Sequence, residues 1–342
     1  MPLPVWIRRL ALTGLVLCFL VVVLGAYVRL SAAGLGCPDW PGCYGAPTPL
    51  NIAQDAIAQG SFAQAVPDVG KAWREMIHRY AAGTLGLIIV SLAALALAAS
   101  GRRMIGLRFA CALLAILILQ ASLGMLTVTL RLTPLIVTLH LIFGMTTLAL
   151  LAWLWLGVRK SGRDGTTAAP SSRMPRRLCL AALIVLAMQI ALGGWTSSNY
   201  AATACPDFPT CDGRWWPPSD FAHAFVLWRP VGINYEGGVL EEPARAAIQL
   251  THRLGACAAT LMLVLAAGLT LRRMPARAAR RAAWAVLAFL VLQLLIAVSM
   301  VEARFPLWLA TAHNAGAALL LLATIALYDA LSARPRSEGC QE

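Results

Sequence analysis

Long apolar runs dominate this chain, separated by short polar turns and by two long polar loops. A helix that crosses a bilayer needs about 20 predominantly apolar residues. Eight stretches meet that rule, over residues 8–29, 76–99, 106–129, 134–157, 177–198, 247–270, 281–301 and 306–330. The fourth and eighth start beside Pro134 and Pro306, which suits a first helical turn whose N–H groups lack partners anyway. The pattern therefore predicts an all-α membrane protein with eight transmembrane helices. Composition agrees, because only 13% of the residues are charged against about 25% in soluble domains. The first run outlasts a signal-peptide core and no small-x-small cleavage site follows it, so it reads as a retained span. No Arg- and Ser-rich amphipathic leader is present, which points to a bacterial cytoplasmic membrane rather than an organelle.

The polar segments reveal a repeat. Residues 24–45, LGAYVRLSAAGLGCPDWPGCYG, align without a gap with residues 192–213, LGGWTSSNYAATACPDFPTCDG. Cys37, Asp39 and Cys43 meet Cys205, Asp207 and Cys211 at an offset of 168 residues. Further on, His78 meets His252 at an offset of 174, and Gln120 meets Gln293 and His140 meets His313 at 173. The expectation is two tandem four-helix bundles related by pseudo-twofold symmetry. These are an N-terminal half over 8–157 and a C-terminal half over 177–330, joined by a cytoplasmic linker over 158–176.

Charge sets the orientation. One set of connections carries 18 of the 28 Lys and Arg residues, among them Arg8, Arg9, Arg102, Arg103, Arg163, Arg272, Arg273, Arg334 and Arg336. The opposite side balances 10 basic against 11 acidic residues. The basic side is cytoplasmic by the positive-inside rule, so both termini lie inside. The net charge of +13 thus expresses topology and contact with membrane lipid, and no nucleic-acid partner is expected. Two long loops, near 30–75 and 199–246, face outward.

Each outward loop opens with a C-x5-C pair, Cys37 with Cys43 and Cys205 with Cys211, in a compartment where disulfides persist. Each pair reads either as a structural staple or as a redox-active pair serving nearby chemistry. Two thiolates make only half of a structural zinc site. Cys18, Cys111, Cys179 and Cys257 lie in or beside apolar runs and read as small core residues. Cys340 lies in a polar tail and carries no signal.

Four of the five histidines obey the repeat. His78, His140, His252 and His313 lie near the starts of the second, fourth, sixth and eighth runs, which all run from outside to inside. All four imidazoles therefore sit at similar depth near the outer leaflet. Ionisable groups in spans are costly and mark function. Two imidazoles from neighbouring helices suit the two faces of a haem. Small residues follow each ligand (Ala81, Ala82, Gly83; Gly144; Gly255, Ala256; Ala315, Gly316), as a macrocycle against a helix requires. Arg79 and Arg253 directly follow a histidine and suit haem propionates. His223 has no repeat partner and reads as a solvated loop residue. Glu75 lies three residues before His78, on the same helical face, whereas the second half has Gln249 there. A carboxylate can take a proton or stabilise positive charge, and an amide does neither well. Glu75 also suits a helix N-terminus, where the dipole favours an anion.

With these residues in view, the chain resembles the haem A synthase family. The motifs are GAYVRLSAAGLGCPDWPGCYG, EMIHRYAAG, TLHLIFG, IQLTHRLGA and TAHNAGA, and the resemblance covers about residues 10–330. It implies oxidation of haem O to haem A for cytochrome oxidase. It implies His252 and His313 as ligands of a stable haem B, and His78 and His140 as ligands of the substrate or product haem. Glu75 matches the family's catalytic glutamate, and Cys37 with Cys43 its outward cysteine pair. Arg29 stands where basic residues recur in part of the family, as a further cofactor-binding candidate. The chain departs from the family in pairing cysteines in both loops while carrying an insert, WRPVGINYEGG, in the second.

The expected reaction converts a haem O methyl group to a formyl by successive hydroxylations, through an alcohol and a geminal diol that loses water. Haem O is the expected substrate, haem O synthase and cytochrome oxidase assembly factors the expected partners, and exposed apolar helix faces allow a homo-oligomer. The alternative is a di-haem b-type membrane electron carrier, which would need haems at both membrane faces.

Overall fold

The computed structural model describes residues 3–51, 67–98, 107–161 and 173–332. Arg102, Arg103, Arg163, Arg334, Arg336, Cys340 and residues 162–172 of the linker lie outside the described residues.

Eight long helices account for every expected span: α1 (Leu3–Leu30), α2 (Val69–Ala98), α3 (Leu107–Thr129), α4 (Pro134–Ser161), α5 (Arg173–Ser198), α6 (Glu242–Arg273), α7 (Arg277–Glu302) and α8 (Leu307–Leu331). All eight are long and apolar enough to cross a membrane. Two begin well before their apolar runs. VGKAWRE at the start of α2 and EPARA at the start of α6 are polar yet helical, and each follows one of the two long loops.

Each half closes into a ring: α1 packs on α2, α2 on α3, α3 on α4 and α4 on α1, and α5 to α8 repeat the pattern. Between the halves α4 meets α5, α1 meets α8, and α4 meets α8. Exchanging the halves leaves that contact pattern unchanged. The seam is therefore built from α1, α4, α5 and α8, while α2, α3, α6 and α7 form the outer walls. In its most apolar window α8 buries 50% of its residues and α7 only 17%, the widest contrast between a seam helix and a wall helix. Lipid supplies no hydrophobic drive between helices, so close approach needs small side chains. The shared core provides them at Ala11, Ala182, Ala266, Ala267, Ala279, Ala283 and Ala318, among buried Ile7, Leu148, Leu151 and Leu327.

The turns repeat as well. Arg131 and Leu132, between α3 and α4, have φ of 47° and 62°, and Arg304 and Phe305, between α7 and α8, have 61° and 60°. Two successive left-handed residues reverse the chain so that a proline can start the next helix. The insert in the second loop crosses to the other half, where the Tyr235 N–H donates to Arg131 O at 3.1 Å and the Tyr235 ring is fully buried.

Candidate functional site

Each of the two long loops begins with the same local structure. Cys37–Cys43 and Cys205–Cys211 are disulfides. Inside each small ring an aspartate ties the chain to itself. Asp39 accepts from the N–H groups of Tyr44 (2.6 Å) and Gly45 (2.8 Å), and Asp207 from those of Asp212 (2.5 Å) and Gly213 (3.0 Å). The aspartate caps residues whose φ is positive, 54° and 77° in the first loop and 53° and 70° in the second. The second position is glycine in both, as a left-handed residue favours. The Thr210 hydroxyl, followed by the Gly213 and Asp212 N–H groups, holds the Asp207 carboxyl below its ordinary range.

The two arginines that follow histidines clamp these loops to the helices. Arg79 donates to Asp39 O (2.9 Å), Pro41 O (3.3 Å), Gly42 O and Glu75 Oε1. Arg253 donates to Thr210 O (2.6 Å), Asp207 O (2.8 Å), Cys205 O (3.3 Å) and Pro209 O (3.3 Å). Both guanidinium groups are thus engaged by loop carbonyls. Glu75 is buried at 4% exposure, and its second oxygen accepts from the Cys37 N–H at 2.9 Å. The carboxylate therefore joins the helix, the arginine and the disulfide loop. Gln249 stands at the matching place in α6, equally buried, with its Oε1 unpartnered.

One cavity of about 1970 Å³ is lined by all four repeat histidines and by Glu75, Gln249, Arg29, Arg79 and Arg253. A pocket for one drug-sized ligand measures about 300–1,000 Å³, so the space exceeds that of a single such ligand. Each histidine lies within the first eleven residues of its helix, and helices α2, α4, α6 and α8 run the same way, so the imidazoles share one end of the bundle. No group of three or more His, Cys, Asp or Glu side chains clusters among the described residues. The donor set is paired imidazoles, which fits axial ligation of a planar iron macrocycle better than a bare ion. Nδ1 of His78 and of His140 is buried without a protein partner. A haem is of the right size and chemistry for this lining.

Two glycines on neighbouring helices set the histidine rings in place. A Cβ on Gly25 would stand 2.9 Å from His78 Cε1, and one on Gly193 3.2 Å from His252 Cε1. The chain matches the cytochrome oxidase assembly protein family, COX15-CtaA, over residues 8–325. It belongs to that family. It is 38% identical over 323 residues to the heme A synthase of Shewanella oneidensis, covering 94% of each chain. It is 27% identical to that of Rhizorhabdus wittichii, over 91% of this chain and 89% of the relative. With the heme A synthase of Methylobacterium radiotolerans it shares 29% over 89% of this chain and 84% of the relative.

In this family member three of the small residues after the ligands have another use than room for a macrocycle. A Cβ on Gly255 or Gly316 would collide with Gln189 or Gln293, and one on Gly144 would stand 3.0 Å from Gln120 Nε2. The Gln189 amide donates to His252 O at 2.9 Å and its nitrogen lies 3.1 Å from His252 Nδ1. Gln293 does the same to His313, at 3.0 Å and 3.2 Å. Val21 replaces Gln189 in the first half, and no bond joins Gln120 to His140 among the described residues. The imidazoles of the second half are held by amides, and those of the first half are not. Periodicity gives no sign of Gln189, because it has no repeat partner.

Arg29, in the last turn of α1, donates to Ser197 O at 2.9 Å and lies 4.1 Å over the Tyr200 ring, so it ties the first half to the second. Its Nε is buried and unpartnered. His223 is solvent-exposed and pairs with Asp220 at 2.6 Å, away from the cavity.

Proposed function

We propose that this chain is a haem A synthase that oxidises a methyl group of haem O to a formyl group in a multi-pass bacterial inner-membrane protein with both termini cytoplasmic. The observation that carries the reading is two matched histidine pairs lining one large, mainly apolar cavity, in a chain alignable end to end with a heme A synthase. His78 and His140 take the substrate or product haem in the N-terminal half. His252 and His313 hold haem B in the C-terminal half, and their glutamine contacts support the assignment of the resident group to that half. When bound, haem B supplies a one-electron redox centre.

Methyl to formyl removes four electrons and adds one oxygen, through an alcohol and a geminal diol that loses water. This chain's contribution is geometric and electrostatic. Glu75 lies on the face of His78, next to the substrate, and is the only carboxylate lining the cavity among the described residues. It takes a proton from the reacting carbon or stabilises positive charge there. Arg79 and the Cys37 N–H orient it. Arg29 offers its unpartnered Nε, and Arg79 and Arg253 their remaining hydrogens, to propionates. The disulfides staple the loops that hold these arginines. The pseudo-twofold relation between the halves accounts for the shared contact pattern. Haem O synthase as donor, cytochrome oxidase assembly factors as recipients and a homo-oligomer complete the proposal.

Grouping of all four imidazoles at one end of the bundle counts against the di-haem carrier, which needs sites at both faces. Purified protein incubated aerobically with haem O and an added electron acceptor tests the reading: formation of the alcohol and then haem A supports it, and unchanged haem O contradicts it.

A further inference from the structure

The amides on the second-half histidines come with a change of size elsewhere in the chain. Gln189 donates to His252 O at 2.9 Å, with its nitrogen 3.1 Å from Nδ1. Gln293 donates to His313 O at 3.0 Å, with its nitrogen 3.2 Å from Nδ1 and 3.4 Å from Nε2. Each amide lodges against the residue three positions after its histidine, Gly255 or Gly316, where a Cβ would collide with the glutamine oxygen. In the first half the repeat places Ala81 and Phe143 at those two positions. It places Val21 at that of Gln189 and Gln120 at that of Gln293. One amide is thus missing. The other turns to Gly144, the residue after Phe143, where a Cβ would stand 3.0 Å from its nitrogen. Nδ1 of His78 and of His140 is buried with no partner. Glutamine bonded to histidine occurs with glycine, and a larger residue occurs where that bond is absent.

Packing against the neighbouring helix does not separate the halves. His78 and His252 both stand against a glycine, Gly25 and Gly193. The amides do separate them.

We propose that Gln189 with Gly255, and Gln293 with Gly316, are positioning pairs that make the second-half site retain its haem, and that their absence lets the first-half site release its own. This rests on the haem A synthase reading, in which one haem stays and the other enters as substrate and leaves as product. An imidazole bonds iron through one ring nitrogen, and a hydrogen bond at the other fixes its tautomer and orientation. A glutamine amide serves either tautomer. Its nitrogen donates to a bare Nδ1, and its oxygen accepts from Nδ1–H once the amide turns about its last bond. That oxygen is buried and unpartnered in both residues. The bond to the histidine's own carbonyl keeps the amide beside the ring. A ring held in this way has little freedom left to lose when iron binds, whereas the rings of His78 and His140 are ordered only at that moment. Loss of such an outer contact costs about 10- to 100-fold in metal affinity. The two sites therefore differ in the direction that a resident haem and a passing one require.

The test exchanges the pairs in full-length protein, purified from cells co-expressing an enzyme that makes haem O. Gln189→Val/Gly255→Ala gives the second half the first-half residues, and Val21→Gln/Ala81→Gly does the reverse. Apomyoglobin is added in excess, and the haems still on the chain are identified and counted by mass at intervals. The proposal expects haem B to leave the first variant about tenfold or more faster than wild type, with prenylated haem leaving at the wild-type rate. The low-spin electron paramagnetic resonance of ferric haem B, which reads imidazole orientation rather than fold stability, should shift in the same variant. Haem B leaving at the wild-type rate, or an unshifted signal, overturns the proposal. If that variant does not fold, the second decides. Prenylated haem is expected to leave it about tenfold more slowly, and release at the wild-type rate overturns the proposal. Wild-type protein without prenylated haem would instead contradict the haem A synthase reading itself.

Discussion

Replacing Glu75 with Gln separates the chemical role of this residue from its structural one. The change keeps the shape, the burial and an acceptor for the Cys37 N–H, and removes only the charge. The loss to the fold is the difference between a charge-assisted bond to Arg79, about 1.5–3 kcal/mol, and a neutral one, about 0.5–1.5 kcal/mol, hence about 1 kcal/mol. The second half shows that the fold tolerates this. Gln249 occupies the matching position, and Arg253 still holds its disulfide loop through four carbonyls. Unfolding temperature in detergent should therefore fall by only a few degrees. Turnover should fall far more, since a positioned proton-transfer group contributes about 10²- to 10⁴-fold. The assay is haem A formed per chain from supplied haem O, alongside the haem content of the same sample. Turnover within twofold of wild type would refute a chemical role. A collapse in stability with parallel loss of haem would show that the carboxylate serves the loop instead.

Further outcomes follow from the same geometry. Arg79→Met leaves Glu75 buried without its counter-charge and should cost about 3–5 kcal/mol, while Arg253→Met removes only bonds to neutral carbonyls and should cost less. Thermal unfolding of the two variants checks the order. Gly25→Ala places a methyl 2.9 Å from His78 Cε1, inside the about 3.5–4.0 Å optimum for carbon contacts, and should lower substrate haem while sparing haem B, read from extracted haems. Asp207, whose carboxyl titrates lower in the folded chain than unfolded, contributes stability above its unfolded pKa, about 3.9, and loses it as pH falls through the folded value. Asp207→Asn should accordingly be less stable than wild type at neutral pH, with the difference vanishing at strongly acidic pH.

The spans were legible because bilayer crossing leaves a long apolar run that few other structures need. The starts of α2 and α6 were not, since their polar first turns are helical and hold the two long loops. Repetition exposed both cysteine loops and four histidines. It hid what differs between the halves: Gln189 aligns with Val21 and carries no periodic signal. The H-R pairs were visible, yet the carbonyls that Arg79 and Arg253 gather come from backbone folded more than thirty residues away. The glycines after the histidines were visible too, but whether each faces ligand, glutamine or open space depends on the neighbouring helix. Gly25 and Gly193, which abut the imidazoles, lie about fifty residues or more from them in sequence.

The most direct measurement of the central claim is mass analysis of the haems extracted from wild-type protein purified after co-expression with a haem O-producing enzyme. The account predicts haem B together with haem A, haem O or the hydroxylated intermediate. Haem B alone, at two per chain, would contradict it and leave a di-haem electron carrier.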